Sequence, residues 1–326
     1  MPLDRFKNKT KGKKKAKKAK RPSAVGLDLG TTSIKAVELS FGTSPPTVES
    51  AVLQLHDTAP EDSAQLAKVV RQVLDRLQPS AKKINVSISG QPVVARFVHM
   101  PRMSLDEISS AVRFEAQDRI PFEIDEVILD HQVLSQEGNS MFVLLVAAKK
   151  NAVEQRLEVL RQAGLEVGVL DVDFFAVSNC FQQWLLNHED WIAEGQEKST
   201  ALLNIGGRVT SINVLNGSTL CLSRDILVGT EEILRLGRAA LGKLVNETRM
   251  SLDYYESQLG SRVDAILLGG GGVHVTGTAE FIKEQLGVPT DTWDPLSGFE
   301  VVPRLAEEGI EKIKHQLAVS LGLALR

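Results

Sequence analysis

The stretch VGLDLGTTSIKAVELS, residues 25–40, predicts a hairpin of two apolar strands joined by a polar turn. Asp28 comes just before the turn, and Lys35 lies two residues into the second strand. The turn itself contains Gly30, Thr31, Thr32 and Ser33. An acid, three hydroxyl groups and a lysine within eight residues need a chemical reason, because the rest of the hairpin is mostly apolar.

A bound phosphate group would explain all of these side chains. Backbone N–H groups and hydroxyls in such a turn can surround an anion, and the Lys35 ammonium can add a point charge. A carboxylate beside a phosphate is repulsive unless a cation lies between them, so Asp28 indicates Mg²⁺ held through water. An ordinary hairpin, in which Asp and Thr side chains satisfy turn amides, explains this stretch alone equally well.

Two later glycine-rich stretches favour the phosphate interpretation. NIGGRVTS, residues 204–211, is again a turn between apolar strands, whereas LLGGGGV, residues 267–273, is a buried strand entering a glycine run that a nucleotide can approach closely. The candidate nucleotide-binding residues in these stretches are Asn204, Gly206, Gly207, Arg208, Gly269, Gly270, Gly271 and Gly272. The P-loop pattern is absent, and the glycine run does not fit a dinucleotide-binding G-x-G-x-x-G, which argues against those two kinds of site.

The order of predicted strands and helices divides the chain into a basic leader, residues 1–22, and the α/β units that follow it. Residues 23–90 with 171–198 form the core of a first lobe, and residues 91–170 form an inserted two-layer unit with the order β-α-β-β-α-β. Residues 199–326 form a second lobe that repeats the strand–turn–strand opening and includes a helical subdomain, 230–262. Two related lobes with inward-facing turns predict a cleft that holds a ligand from both sides.

Local signals predict several helix ends. Ser104, followed three residues later by Glu107, forms a capping box at the start of the first helix of the inserted unit. Asn151 and Gly164 are the predicted N-cap and C-cap of its second helix. A single helical stretch is predicted from Thr230 to about Leu259.

The charge of the chain is divided unevenly. Residues 1–22 contain eleven Lys or Arg residues and one acid, whereas the remaining chain contains 27 basic and 40 acidic residues. Such a run predicts a disordered segment, which is either a plain solvated leader or a tether to anionic lipid at roughly 1 kcal/mol per lysine near the surface. We expect no nucleic-acid binding, because Phe6 is the sole aromatic residue among these lysines.

Composition argues against several other classes. Two cysteines, Cys180 and Cys221, do not make a disulfide framework and fit a reducing compartment. No apolar run approaches the roughly 20 residues of a membrane-spanning helix, and the basic start is not followed by the apolar region of a signal peptide. The six histidines are scattered and predict no metal cluster.

Three motifs, in this order, resemble those of the actin-like ATPase superfamily. GLDLGTTSIK (26–35) resembles the first phosphate motif, LLNIGGRVTS (202–211) the second, and ILLGGGGVHVTG (266–277) the adenosine motif. VSLGLAL (319–325) resembles the closing connecting helix. The resemblance implies the actin-like, ribonuclease H-like fold, in which two lobes clamp ATP and Mg²⁺ in a cleft.

Two longer stretches are similar to the PilM family of type IV pilus assembly proteins. They begin at MSLDEISSAV (103–112) and VNETRMSLDY (245–254), and the overall resemblance covers roughly residues 24–326. PilM shares with the division protein FtsA a small inserted α/β subdomain, which residues 91–170 match. The family implies a cytoplasmic, ATP-binding protein, peripheral at the inner membrane. Its partner is the N-terminal peptide of a PilN-like inner-membrane protein, bound in a groove involving the inserted subdomain, and self-association is a further expectation.

Two positions depart from the family pattern. The second phosphate motif usually begins with an aspartate, and Asn204 occupies that position. Because an amide cannot act as a base and holds Mg²⁺ weakly, we expect ATP binding with slow or absent hydrolysis. On the adenine-side helix Glu247 and Ser251 are retained, but Met250 replaces a residue that is often basic and leaves only packing against the base.

Two other functions remain open at this point. A sugar or acid kinase of the same superfamily needs a catalytic aspartate in the cleft, but the candidates Asp171 and Asp173 begin a helix and are expected to cap it. An FtsA-like division protein usually ends in an amphipathic membrane helix, whereas this sequence ends at LGLALR (321–326).

Overall fold

A computed structural model describes residues 22–58, 62–188, 191 and 198–326. The basic leader, apart from Pro22, and its predicted disorder lie outside the described residues. The described strands are β1 (Ser23–Leu29), β2 (Ser33–Ser40), β3 (Thr47–Leu55), β4 (Lys83–Ile88), β5 (Val93–Pro101), β6 (Val127–Glu137), β7 (Ser140–Lys149), β8 (Glu166–Val172), β9 (Ser199–Ile205), β10 (Thr210–Asn216), β11 (Thr219–Ile226), β12 (Ala265–Gly270), β13 (Thr290–Thr292) and β14 (Glu300–Val301). The described helices are α1 (Ser63–Leu77), α2 (Leu105–Arg119), α3 (Lys150–Gln162), α4 (Asp173–Leu185), α5 (Thr230–Leu236), α6 (Arg238–Leu259), α7 (Thr278–Leu286), α8 (Pro303–Glu307) and α9 (Ala318–Ala324).

Two of the sheets have the same strand topology. The first has the order β14-β3-β2-β1-β4-β8, and the second has the order β11-β10-β9-β12-β13. In each, the central strand pairs antiparallel with the strand that follows it and parallel with a later one. The run β3-β2-β1-β4-β8 therefore recurs as β11-β10-β9-β12-β13, which confirms the architectural repeat predicted from the two strand–turn–strand openings.

The first sheet is buried on both faces. On one face Val25 and Leu27 of β1 pack with Val70 and Val73, two residues on the apolar stripe of α1. On the other face the sheet packs against α4 and α9, and Phe181 of α4 is fully buried in that cluster. Burial on both faces explains why β1 and β2 contain consecutive apolar residues, such as Ala24–Val25 and Ala36–Val37, instead of a strict alternation.

The third sheet, of order β5-β7-β6, comes from the segment between β4 and β8. Helix α2 covers one face, and its predicted capping box is confirmed, since the Ser104 N–H and hydroxyl both donate to Glu107 Oε2. Helix α3 and strand β8, predicted as part of this unit, instead lie on the first sheet: β8 pairs parallel with β4, and α3 packs against α1. A parallel strand needs a crossover helix to reach its neighbour, which gives α3 and β8 their place. The limits of the predicted units stay a prediction.

Three predicted helix features differ in the structure. The N-cap of α3 is Lys149 and not Asn151, because the helix begins at Lys150. Its C-cap is Ala163 and not Gly164, which follows the cap with a φ of +79°. The stretch from Thr230 to Leu259 forms two helices, because Gly237 at φ +55° interrupts it. Among the helices of the described part of the chain, none combines the length and apolarity needed to cross a membrane.

Candidate functional site

A cavity of about 350 Å³ lies between the first and second sheets, where the turn after β1 faces the turn after β9. Half of the residues predicted to bind nucleotide line it. They are Asp28, Gly30, Thr31, Thr32, Lys35, Asn204, Gly206 and Gly207. The fold therefore brings together two turns that are far apart in sequence. This agrees with the predicted cleft between two lobes.

The two turns are built alike and touch each other. The Gly30 N–H donates to Ser33 O at 3.1 Å, and the Gly206 N–H donates to Val209 O at 2.9 Å. A Cβ atom added to Gly207 would lie 2.4 Å from both Thr32 Cγ2 and Thr32 Oγ1. Glycine at position 207 is thus what allows the second turn to reach the first.

The acid and the lysine of the opening hairpin form an ion pair. Asp28 and Lys35 are direct cross-strand neighbours, and Lys35 Nζ lies 3.0 Å from Asp28 Oδ2. The same ammonium donates to Ser33 O at 3.4 Å, and both paired side chains are 13% exposed. A phosphate group that binds here therefore competes with Asp28 for the lysine.

The second sheet presents a row of three polar side chains to the cavity. Asn204 on β9 pairs with Ser211 on β10, which pairs with Asp225 on β11, and all three line the cavity. Since directly opposed residues point to the same face of a sheet, the row lies opposite the Asp28–Lys35 pair. Sequence reasoning missed Asp225, whose place in the row depends on the register of β11.

Burial changes the acidity of the carboxylates in the cavity. Burial raises the pKa of Asp225 to about 6. Burial also raises the pKa of Asp173 well above its usual range, and the charges of Asp225 and Asp28 raise it further. These shifts indicate that the carboxylates share a confined, poorly solvated space.

The expectation that Asp171 and Asp173 cap helix α4 is wrong. The N-cap is Val172, and Asp173 is the first helical residue, whose Oδ1 accepts from the Phe174 N–H at 2.9 Å. Because this turn of the helix faces the cavity, Asp173 lines it. The Asp171 carboxylate instead pairs with Arg326 at 2.5 Å and raises the pKa of that guanidinium.

His56, another residue that sequence reasoning missed, holds the first turn from behind. Its Nε2 lies 3.0 Å from Gly30 O, its backbone N–H donates to Thr32 O, and its Nδ1 accepts from the Thr58 N–H at 3.3 Å. An accepting Nδ1 assigns the proton to Nε2, which then donates to Gly30 O. The imidazole thus holds the first turn through the carbonyl of Gly30.

Several predicted residues do not line the cavity. Ser33 is buried beneath the turn, Arg208 pairs with Glu231 at 3.0 Å, and Glu247 pairs with Arg224 at 2.7 Å. Ser251 is buried and accepts from Arg224. Their assignment to a nucleotide site stays a prediction, as does that of the other candidates.

The four glycines at the end of β12 and directly after it, residues 269–272, also lie outside the lining of the cavity, but they pack close to it. Gly270 has a φ of +82°, and a Cβ atom there would lie 2.4 Å from Ile205 O. A Cβ atom on Gly272 would lie 2.1 Å from Ile205 Cγ2. Ile205 directly precedes the second turn, so these glycines let the chain pass against the base of that turn.

A wider surface depression of about 1150 Å³ lies at the other end of β2 and has a different character. Its buried acid, Glu38, accepts from the N–H groups of Ser80 and Ala81 at 2.9 and 3.2 Å. The carboxylate is therefore engaged in fixing the loop after α1. We assign no ligand to this depression.

Two sheets of repeated topology with turns facing one cleft define an actin-like ATPase fold. The sequence profile of the type IV pilus assembly protein PilM family matches residues 26–235 and 240–326, so the chain belongs to that family. A chain of the PilM–PilN type IV pilus biogenesis complex is 29% identical, with a TM-score of 0.81, and the match covers 94% of this chain and 99% of that one. The ethanolamine utilization protein EutJ from Carboxydothermus hydrogenoformans is 16% identical over 94% of this chain and 90% of that one, with a TM-score of 0.52, and shares the fold.

These comparisons confirm the resemblance to PilM and the fold that it implied. They also favour a role in type IV pilus assembly over the kinase and cell-division alternatives.

Proposed function

We propose that this protein binds ATP with Mg²⁺ in the cavity and serves as a cytoplasmic scaffold of type IV pilus assembly at the inner membrane. The observation that carries the nucleotide part is the meeting of two similar glycine turns across the cavity, one from each repeated sheet. Both turns can offer backbone N–H groups to an anion bound where they meet, and the hydroxyls of Thr31 and Thr32 add donors from the first turn.

The charges around the cavity favour a nucleotide that arrives with a divalent cation. Three carboxylates, Asp28, Asp173 and Asp225, face two cationic side chains, Lys35 and Arg156. A bare polyphosphate would add further negative charge to a site that is already negative. The oxygen donors of the carboxylates, hydroxyls and the Asn204 amide suit Mg²⁺, and Asp28 would hold it through water. The ion would neutralise the phosphates and orient them.

Hydrolysis is expected to be slow or absent. Asn204 occupies the end of β9 and faces the cavity, where its amide can donate a hydrogen bond to a phosphate oxygen but cannot accept a proton from water. The site therefore favours holding ATP over cleaving it.

Isothermal titration calorimetry tests the nucleotide part. We expect Mg-ATP to bind to the purified protein and ATP with EDTA to bind at least tenfold more weakly, because the ion separates phosphate from Asp28. Equal affinities for the two ligands would contradict the magnesium assignment. No binding of either would remove the nucleotide function.

The partner part of the proposal is that the protein binds the N-terminal cytoplasmic peptide of a PilN-like inner-membrane protein. It is supported by membership of the PilM family and by the likeness to a chain of the PilM–PilN complex. The test is a fluorescence anisotropy titration with the peptide encoded in the same operon, with and without Mg-ATP, against a scrambled peptide. Failure to bind the native sequence in both conditions would remove the partner assignment and leave the nucleotide assignment intact.

A further inference from the structure

Arg156 is a cavity residue to which neither the sequence motifs nor the family resemblance gives a role. It lies on α3, whose first residue directly follows β7, and its side chain lines the cavity. Arg156 Nη1 donates to Leu29 O at 3.2 Å, at the residue between Asp28 and the first turn. The guanidinium therefore lies beside the phosphate-facing turn.

The half-buried guanidinium makes few hydrogen bonds. It has five N–H donors, and in the described part of the chain the bond to Leu29 O is the one hydrogen bond that it makes. Burial lowers the pKa of Arg156, and the charges of Asp28 and Asp173 oppose that shift without a hydrogen-bonded ion pair. A half-buried cation with free donors beside a polar cavity is suited to an anionic ligand.

The other cation of the cavity is already engaged. Lys35 Nζ is held between Asp28 Oδ2 and Ser33 O, so its charge is neutralised by a fixed partner. Arg156 differs because its planar fork can give two parallel N–H bonds to one phosphate without first giving up a carboxylate.

We propose that Arg156 binds the terminal phosphate of the nucleotide and makes the site selective for ATP over ligands with fewer phosphates. This inference rests on the proposed nucleotide function. The bond to Leu29 O then positions the guanidinium, and the remaining donors point to the phosphate. Lys35 acts as the cation of the inner phosphates, beside the first turn.

The competing explanation is that Arg156 merely supports the turn by holding Leu29 O and balancing Asp28 and Asp173. A purely supporting residue affects all ligands of the site alike, because it changes the shape of the turn. A residue that binds phosphate instead affects the affinities in the order of the number of phosphates, so that ATP loses most and adenosine least.

The test is a calorimetric series of Mg-ATP, Mg-ADP, AMP and adenosine with three variants. Arg156→Gln keeps a donor for Leu29 O but loses the charge, Arg156→Lys keeps the charge but loses the fork, and Arg161→Gln is the control on the exposed side of α3. We expect Arg156→Gln to weaken Mg-ATP about tenfold or more and adenosine less than twofold, with Arg156→Lys in between and the control unchanged.

An equal loss for all four ligands, or an unchanged affinity for Mg-ATP, would overturn the inference. If the wild-type protein bound none of the four, the proposed nucleotide function itself would fail. Thermal unfolding shows whether each variant is folded. If Arg156→Gln is not folded, the affinities of Arg156→Lys for the four ligands test the inference in its place.

Discussion

At the scale of single residues, the cavity is an electrostatic unit in which each charge depends on its neighbours. Asp28 is neutralised by Lys35, whereas Asp225 makes no ion pair within the described residues and keeps a raised pKa of about 6. The charges of Asp225 and Asp28 both add to the effect of burial in raising the pKa of Asp173. The proposed Mg²⁺ and nucleotide would enter a site whose own charges are not balanced.

Asp225 predicts how stability depends on pH. Its pKa is raised in the folded protein, so the folded state binds a proton that the unfolded state releases, and stability falls as pH rises from about 4 to about 6. Asp225→Asn removes this penalty. Without nucleotide, we expect the variant to melt a few degrees above the wild type at pH 7 and at nearly the same temperature near pH 4.

The measurement is thermal unfolding by circular dichroism across that pH range. Asp253→Asn, an exposed acid on α6, is the matched control and should shift the melting temperature little at either pH. A stabilisation of Asp225→Asn that is the same at both pH values would show that the effect does not come from ionisation.

Asn204 predicts a second effect, on turnover. Asn204→Asp supplies a carboxylate that faces the cavity from the end of β9, and we expect phosphate release from ATP to rise at least tenfold. The assay is single-turnover phosphate release, with Asn216→Asp at the far end of β10 as the control. A wild-type rate that is already rapid, and unchanged in Asn204→Asp, would show that the amide does not limit hydrolysis.

At the scale of strands, helices and turns, the contact between the two turns depends on Gly207. A methyl group at this position would meet the Thr32 side chain at 2.4 Å and Thr31 Oγ1 at 2.9 Å, so the turns must move apart. We expect Gly207→Ala to weaken Mg-ATP binding at least tenfold and to lower the melting temperature by a few degrees.

The control for this prediction is Gly242→Ala. Gly242 lies within α6, where an added Cβ has open space, and alanine is the better helix former, so the melting temperature should stay equal or rise. If Gly207→Ala bound Mg-ATP as tightly as the wild type, the contact between the turns would not matter for the ligand.

The same scale shows what the sequence can and cannot predict. The strands and the turns were predictable because alternation, glycine and hydroxyl residues are local signals, as Ser104 and Glu107 are for α2. The place of Asp225 was not, because it depends on how β11 registers with β10, a pairing that shifts at Val214 and Leu215. Arg156 was missed for a related reason, since only the packing of α3 brings its guanidinium to Leu29.

At the scale of the whole molecule, one sheet topology used twice explains why the site lies where it does. The repeat places the ends of β1 and β9 at facing edges, so each lobe contributes one turn and neither is complete alone. The two copies differ in chemistry: the first has the Asp28–Lys35 pair, and the second has Asn204, Ser211 and Asp225 at the corresponding row. In the proposed function, the first side would supply the Lys35 ammonium to the phosphates, and the second side would cover them with polar side chains.

The charge of the whole chain leads to the last prediction, which concerns residues 1–22. The leader has a net charge of +10, whereas residues 23–326 have a net charge of −13 and are repelled by an anionic membrane. Deletion of residues 1–22 should therefore abolish co-sedimentation with vesicles containing phosphatidylglycerol. The full chain should bind these vesicles at low salt and dissociate from them near about 0.5 M NaCl, because salt screens the charges. It should not bind neutral vesicles. A deletion variant that bound as well as the full chain would leave the leader without a role at the membrane.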